Sequence, residues 1–171
     1  MIQVRCINNG ESKVFNPGVT LQEVYNGFGV DMPYGAVSAR VNNKVENLNF
    51  RLYNPKEVEF LDISSSSGMR TYVRTLFFIL TKAISELYPD GEVIIEHPIS
   101  KGYFCNLRIG RSVTVVDVEA IKQRMQAIVS ADLPIQSIQC PTRDAIEMFR
   151  SQGRSDVVTL LETTGRLYSS Y

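Results

Sequence analysis

Two hydrophobic periodicities divide the chain. In the first sixty residues apolar and polar side chains alternate, as at Ile2, Val4 and Cys6, and this alternation predicts short strands with one buried face. Asn9-Gly10 predicts a hairpin turn, because both residues tolerate a positive φ. Thr20 with Glu23 three residues later predicts a capped helix start. The order strand, strand, helix, strand, strand indicates a β-grasp sheet packed on one helix.

From Met69 onward the apolar spacing becomes helical. The positions that share this spacing are Met69, Tyr72, Val73, Leu76, Leu80, Ala83, Ile84 and Leu87. They predict a helix of about six turns that stops at Pro89. Two strands are expected next, around Lys101-Gly102, and Thr114 with Asp117 predicts a second capped helix. The chain is therefore expected to be α+β.

A serine-rich segment separates the two patterns. Residues 64–68 read SSSSG, which buries little and predicts a flexible linker. The sequence thus predicts a β-grasp domain over 1–63, a linker over 64–68 and a second α+β domain over 69–171.

Composition narrows the classes of function. Lys and Arg total 18, Asp and Glu also total 18, and hydrophobic residues make up 44%. A net charge of zero argues against strong non-specific nucleic-acid binding. It still allows a basic face on one part of the surface. No apolar run approaches the roughly 20 residues that span a membrane. Three widely spaced cysteines and no signal peptide predict reduced thiols and a cytoplasmic location.

Several familiar chemical motifs are missing from the sequence. It contains no GxxxxGK[ST] phosphate loop, no GxGxxG, no GxSxG and no HExxH. His97 is the single histidine, so a histidine-rich metal site is not expected.

The segment 97–106 concentrates polar and aromatic residues where a plain hairpin needs only a turn. The candidates for a ligand pocket in it are His97, Lys101, Tyr103, Cys105 and Asn106. A packed hairpin with a solvated turn explains the same residues and is the commoner outcome. Cys105 is a candidate nucleophile only if His97 acts as its base, and an inert packed thiol is the alternative.

Two arginines on the long helix are candidates for binding a phosphate. Arg70 and Arg74 lie four residues apart and therefore share one helix face. This face suits a phosphate or an RNA backbone, and a solvated surface is the alternative.

The first domain resembles the TGS module of threonyl-tRNA synthetases. The resemblance rests on Pro17–Leu21, Ala36–Val45 and Val58–Leu61. Residues Lys82–Gly91 and Gly102–Phe104 resemble the second domain of the same enzymes. The resemblance implies a TGS domain followed by an editing-domain-like α+β domain that continues beyond residue 171.

In threonyl-tRNA synthetases the second domain removes mischarged serine with an HxxxH pair and a later Cys-x-x-x-His. Aligned through Leu87–Pro89, the two helix histidines fall at Arg74 and Phe78, and the chain ends before the later element. Neither side chain performs the general-base work of an imidazole near neutral pH. The resemblance therefore implies that editing by the family's mechanism is absent.

A second resemblance is to the N-terminal region of bacterial uridine (nucleoside) kinases. It rests on Ser67–Arg74, His97–Leu107 and Ile121–Met125. It implies a non-catalytic fragment that binds a regulatory ligand or RNA and uses no cofactor itself. The missing C-terminal kinase domain would then be a partner and would use ATP and Mg²⁺.

Two alternatives stay open at this stage. One is a divergent aminoacyl-tRNA deacylase that uses the His97 and Cys105 pocket. The other is an assembly module that docks onto the rest of its protein or forms a homo-oligomer.

Overall fold

The computed structural model describes residues 1–100 and 102–171. It contains two compact units, Met1–Ser130 and Ala131–Tyr171. The division into domains over 1–63 and 69–171 stays a prediction.

The first unit begins with a β-grasp arrangement. Its elements in chain order are β1 (Ile2–Cys6), β2 (Ser12–Phe15), β3 (Val19–Thr20), α1 (Leu21–Phe28), β4 (Ser38–Val41), β5 (Lys44–Glu46), β6 (Arg51–Leu52) and β7 (Lys56–Leu61). The main sheet has the order β2-β1-β7-β4-β5, in which β1 and β7 are parallel and the other neighbours antiparallel. Strands β3 and β6 form a separate antiparallel pair.

The core of this sheet follows the predicted alternation. Val4 and Cys6 on β1 are fully buried, and so are Leu21 and Val24 on α1. The predicted capping box is present, since the Thr20 hydroxyl accepts from the Glu23 amide and the Glu23 carboxylate accepts from the Thr20 amide. Local sequence thus orients α1 with its apolar side on the sheet.

The rest of the first unit consists of two helices and a hairpin. They are α2 (Ser66–Leu87), β8 (Glu92–Ile99), β9 (Gly102–Arg108) and α3 (Val115–Ser130). Strands β8 and β9 are antiparallel neighbours, and α2 contacts both α3 and β8. The predicted second capping box opens α3, where Thr114 and Asp117 exchange hydrogen bonds.

Part of the serine-rich segment belongs to α2. The helix begins at Ser66, and the hydroxyl of Ser65 accepts from the Gly68 amide as its N-cap. The carboxylate of Asp62, a buried residue, accepts from the Ser64 amide and hydroxyl. Capping bonds thus connect Ser64, Ser65 and Gly68 at the start of α2, because serine hydroxyls can bind backbone donors at a helix end. The role of residues 64–68 as a linker stays a prediction.

The second unit comprises β10 (Gln139–Pro141), α4 (Thr142–Ser151), α5 (Ser155–Thr164) and β11 (Tyr168–Ser170). Strands β10 and β11 are antiparallel, and α4 contacts α5. Among the described residues no helix has the length and apolar character needed to cross a bilayer.

Candidate nucleic-acid interface

The N-terminal half of α2 exposes two guanidinium groups. Arg70 and Arg74 are exposed and lie one turn apart on the same helix face. The Nη2 of Arg70 donates to the Ser67 hydroxyl at 3.1 Å. Within the described part of the chain, neither arginine forms a salt bridge. This face therefore carries positive charge that no acid of the described residues neutralises.

Most other arginines are neutralised by an acid. Eight of the twelve arginines form a salt bridge with an acid of the described residues, and Arg51, Arg70, Arg74 and Arg166 form none there. Arg51 donates to the Gly18 carbonyl within the first domain. Arg70 and Arg74 on α2 thus form a local positive patch in a chain with no net charge. The net charge alone does not predict this patch.

The outer face of the β-grasp sheet has the opposite character. Arg5 pairs with Glu57 across β1 and β7, and Arg40 pairs with Glu59 across β4 and β7. Arg5 and Arg40 are therefore each paired with a carboxylate, which weakens their attraction for phosphate.

One side of the β8–β9 hairpin faces α2. The Tyr103 ring meets the Phe77 ring edge-on, with centroids 4.9 Å apart. Cys105 shares this side with Tyr103, because side chains alternate along a strand. The half-buried Cys105 donates its thiol proton to the Tyr103 carbonyl at 3.8 Å. The α2 side of the hairpin thus holds two of the predicted site residues.

The other predicted hairpin residues belong to the opposite side. The His97 ring stacks on Phe104 with centroids 5.6 Å apart, and Asn106 lies opposite Ile94. A register shift between Ile95 and Pro98 explains the position of His97. In a regular strand, His97 would lie on the same side of the hairpin as Ile95 and its cross-strand partner Cys105. The bulge places His97 on the other side.

The structure therefore does not bring the predicted pocket together as one cluster. Among the described residues no hydrogen bond joins His97 to Cys105, and the His97 Nδ1 lies 3.9 Å from a Glu96 carboxylate oxygen. Lys101, the remaining predicted residue, lies outside the described residues. The roles proposed for all seven candidates stay predictions.

A network of charged groups joins the C-terminal end of α2 to α3. Asp117 is buried and accepts from both terminal nitrogens of Arg111, at 2.6 and 2.8 Å, and from the Tyr88 hydroxyl at 2.8 Å. The bonds from Arg111, followed by those from Thr114, hold the pKa of Asp117 well below its ordinary value. The hydrogen bond to Asp117 raises the pKa of Tyr88.

A second ion pair lies on the same pair of helices. The Nε of Arg124 donates to Glu86 at 2.7 Å, and Lys82 lies 2.8 Å from the same carboxylate. Arg124 first and Lys82 second lower the pKa of Glu86 to about 2. The Arg124–Glu86 contact therefore joins the C-terminal half of α2 to α3.

Within the described ranges, the groove between α2 and α3 is mostly apolar and lacks a cluster of polar groups. Leu76, Ile79, Leu80, Ile121 and Met125 line it, and Lys122 is the charged residue of its lining. A ligand site usually adds several convergent polar groups to such a surface. Among the described residues, no group of three His, Cys, Asp or Glu side chains is placed to hold a metal ion.

Sequence reasoning missed one exposed residue beside the arginine pair. The Phe78 side chain is 58% exposed and lies four residues after Arg74. The resemblance led to Phe78 only as the position of a lost histidine. Phe78 lies four residues after Arg74, and this spacing predicts that it shares the helix face of Arg70 and Arg74.

Comparison with known proteins shows similarity to threonine–tRNA ligases. The chain is 26% identical to that of Acetivibrio thermocellus, covering 94% of this chain and 25% of the relative. It is 27% identical to that of Methylococcus capsulatus, covering 95% and 26%, and 25% identical to threonine–tRNA ligase 2 of Bacillus subtilis, covering 82% and 22%. No family model matches. The chain spans about a quarter of the length of these relatives.

These relatives agree with the fold expected from the first resemblance. The chain is α+β, with a β-grasp TGS domain followed by an α+β domain like the editing domain of threonyl-tRNA synthetases.

The relatives overturn the second resemblance. The prediction of a uridine (nucleoside) kinase fragment was wrong, because these relatives are threonine–tRNA ligases. The predicted phosphotransferase parent and the predicted missing kinase domain were wrong for the same reason.

Proposed function

We propose that this region binds tRNA through the N-terminal half of α2, as part of a protein related to threonine–tRNA ligases. The observation that carries the proposal is the exposed Arg70 and Arg74 pair, without a salt-bridge partner in the described residues. Guanidinium groups bind phosphate oxygens through paired hydrogen bonds. The similarity to enzymes that act on tRNA supplies the class of ligand.

The overall charge balance sets the expected character of this binding. The sequence has no net charge, so a small number of local contacts must supply the attraction. We expect modest affinity that falls with salt in proportion to the few phosphates contacted.

The test is a filter-binding titration of the 171-residue chain with unmodified tRNA at several salt concentrations. Removing two single-strand phosphate contacts reduces the steepness of the negative slope of log K against log salt by about 1.4. R70A/R74A should therefore weaken tRNA binding and make it less dependent on salt. The matched control is R5A/R143A, which also removes two exposed arginines, each paired with an acid. Equal losses in both variants, or no tRNA binding by the wild type, would disprove the proposal.

Hydrolysis of a mischarged aminoacyl ester is the second tRNA-related function, and the geometry of His97 and Cys105 supports it less than binding. A general base must reach its proton donor at about 2.6–3.2 Å. His97 instead stacks on Phe104, while the Cys105 thiol donates to a backbone carbonyl. Deacylation of mischarged tRNA that is lost in C105A would favour this function over binding alone.

Two further expectations accompany the tRNA proposal. We propose that the region works without a metal or other cofactor, and that any self-association involves surfaces outside α2. Sedimentation of the chain with and without tRNA tests the second point.

A further inference from the structure

One stripe of α2 combines two cations with an aromatic ring. Arg70, Arg74 and Phe78 follow each other at intervals of four residues, and all three are exposed. Each interval advances about 6 Å along the helix axis, so the stripe covers about 12 Å. The next position, Lys82, is paired with Glu86 and ends the run of unpaired cations.

Phe78 has no aromatic stacking partner among the described residues. Its neighbour Phe77, by contrast, meets the Tyr103 ring of the hairpin edge-on. More than half of the Phe78 side chain is open to water, at 58% exposure. The ring is therefore available to a ligand.

The surroundings of Phe78 favour a nucleic acid over a protein. Its neighbours three and four residues away on the helix are Arg74, Thr75, Thr81 and Lys82, all polar or cationic. A protein-docking surface normally has a contiguous apolar centre, which this stripe lacks. A single ring next to unpaired guanidinium groups is the combination that binds single-stranded nucleic acid.

We propose that Phe78 stacks on an unpaired base of RNA whose backbone phosphates bind Arg74 and Arg70. This inference rests on the proposed tRNA binding and adds a preference for single-stranded RNA over a duplex. In a duplex the bases are stacked on each other and cannot meet the ring, whereas a single-stranded end presents its bases freely. The phosphates provide affinity without regard to sequence, and the ring provides the selectivity for an unpaired end.

The test compares two RNA hairpins that differ only in a short single-stranded 3′ extension. Binding of the fluorescently labelled hairpins to the 171-residue chain is followed by anisotropy. Loss of one base–aromatic stack weakens binding by about 5- to 150-fold, so F78A should lower affinity for the extended hairpin by that factor. The same substitution should leave the weaker binding of the blunt hairpin unchanged.

Three further variants separate stacking from other effects. F78Y keeps a ring and should retain the preference, whereas F78L keeps an apolar side chain without a ring and should lose it. Y34A removes a similarly exposed ring, 64% exposed, from the TGS domain and should have no effect. Circular dichroism of each variant confirms that α2 is intact.

The outcomes distinguish this inference from the proposed function. If the extended hairpin binds, R70A/R74A weakens it and F78A does not, the stacking inference is overturned and tRNA binding stands. If F78L binds as well as the wild type, the ring is not stacking and the inference also fails. If neither hairpin binds, both the inference and the proposed function are refuted.

Discussion

Arg111 and Asp117 form a two-pronged ion pair in which both terminal guanidinium nitrogens reach the carboxylate, at 2.6 and 2.8 Å. The same carboxylate caps α3 through Thr114 and accepts from the Tyr88 hydroxyl just after α2. A single buried side chain therefore connects the end of one helix to the beginning of the next.

Substitution of Asp117 tests this connection. D117N keeps the shape of the side chain but removes the charge, so Arg111 loses its partner and the amide nitrogen cannot accept. We expect a clear fall in the Tm measured by circular dichroism. D144N removes a carboxylate from an exposed pair with Arg143 and should leave the Tm nearly unchanged, and an equal fall in both would contradict the assignment.

The Glu86 pair predicts a pH dependence of stability. Its pKa falls from an ordinary 4.5 to about 2 in the folded chain, first because of Arg124 and then because of Lys82. A depressed folded pKa means that the stabilisation is fully present above pH 4.5 and is lost as the pH falls towards 2.

The measurement is urea unfolding of the wild type and E86Q across this range. We expect the two midpoints to differ at pH 7 and to converge between about pH 4.5 and pH 2. A difference that persists unchanged at low pH would show that packing, rather than charge, distinguishes the two proteins.

The close surroundings of Gly68 predict that even its replacement by alanine destabilises the fold. A Cβ added at this position would lie 1.9 Å from the Asp62 carbonyl oxygen, which is far inside contact distance. G68A should therefore destabilise the chain by about 1–3 kcal/mol, although alanine is normally the better helix former.

Thermal unfolding of G68A and G102A provides the comparison for Gly68. A Cβ at Gly102 would meet only the Ile99 carbonyl oxygen, at 3.9 Å, so G102A should be close to neutral. If G68A is as stable as the wild type, residues 62–68 adopt a looser turn than the structure describes.

The burial of Phe60 predicts how much stability is lost when a cavity is made in the β-grasp core. The ring is 1% exposed and lies 5.1 Å from the Tyr25 ring between the sheet and α1. F60A should cost about 3–5 kcal/mol in the free energy of unfolding, because the surrounding core closes only partly. V14A, at an exposed position of β2, is the control and should change stability little.

The local sequence predicts several strands and helices of this fold. Alternation at Ile2, Val4 and Cys6 predicts a strand with one buried face, and the structure buries all three. Both capping boxes form as predicted, because a cap depends on residues only three positions apart. The long apolar period before Pro89 likewise predicts α2, since helical spacing is a property of the segment itself.

The candidate site depended on contacts between distant segments. A bulge near Ile95 places His97 beside Phe104 rather than on the side of Cys105, and no spacing rule predicts that shift. Most arginines pair with an acid, whereas no acid of the described residues forms a salt bridge with Arg70 or Arg74 of α2. Thus the sequence by itself determined the elements and their buried faces, since hydrophobic period and capping act over a few residues. Only the tertiary structure decided which charges are neutralised and which rings stay open to a ligand, since pairing depends on segments that folding brings together.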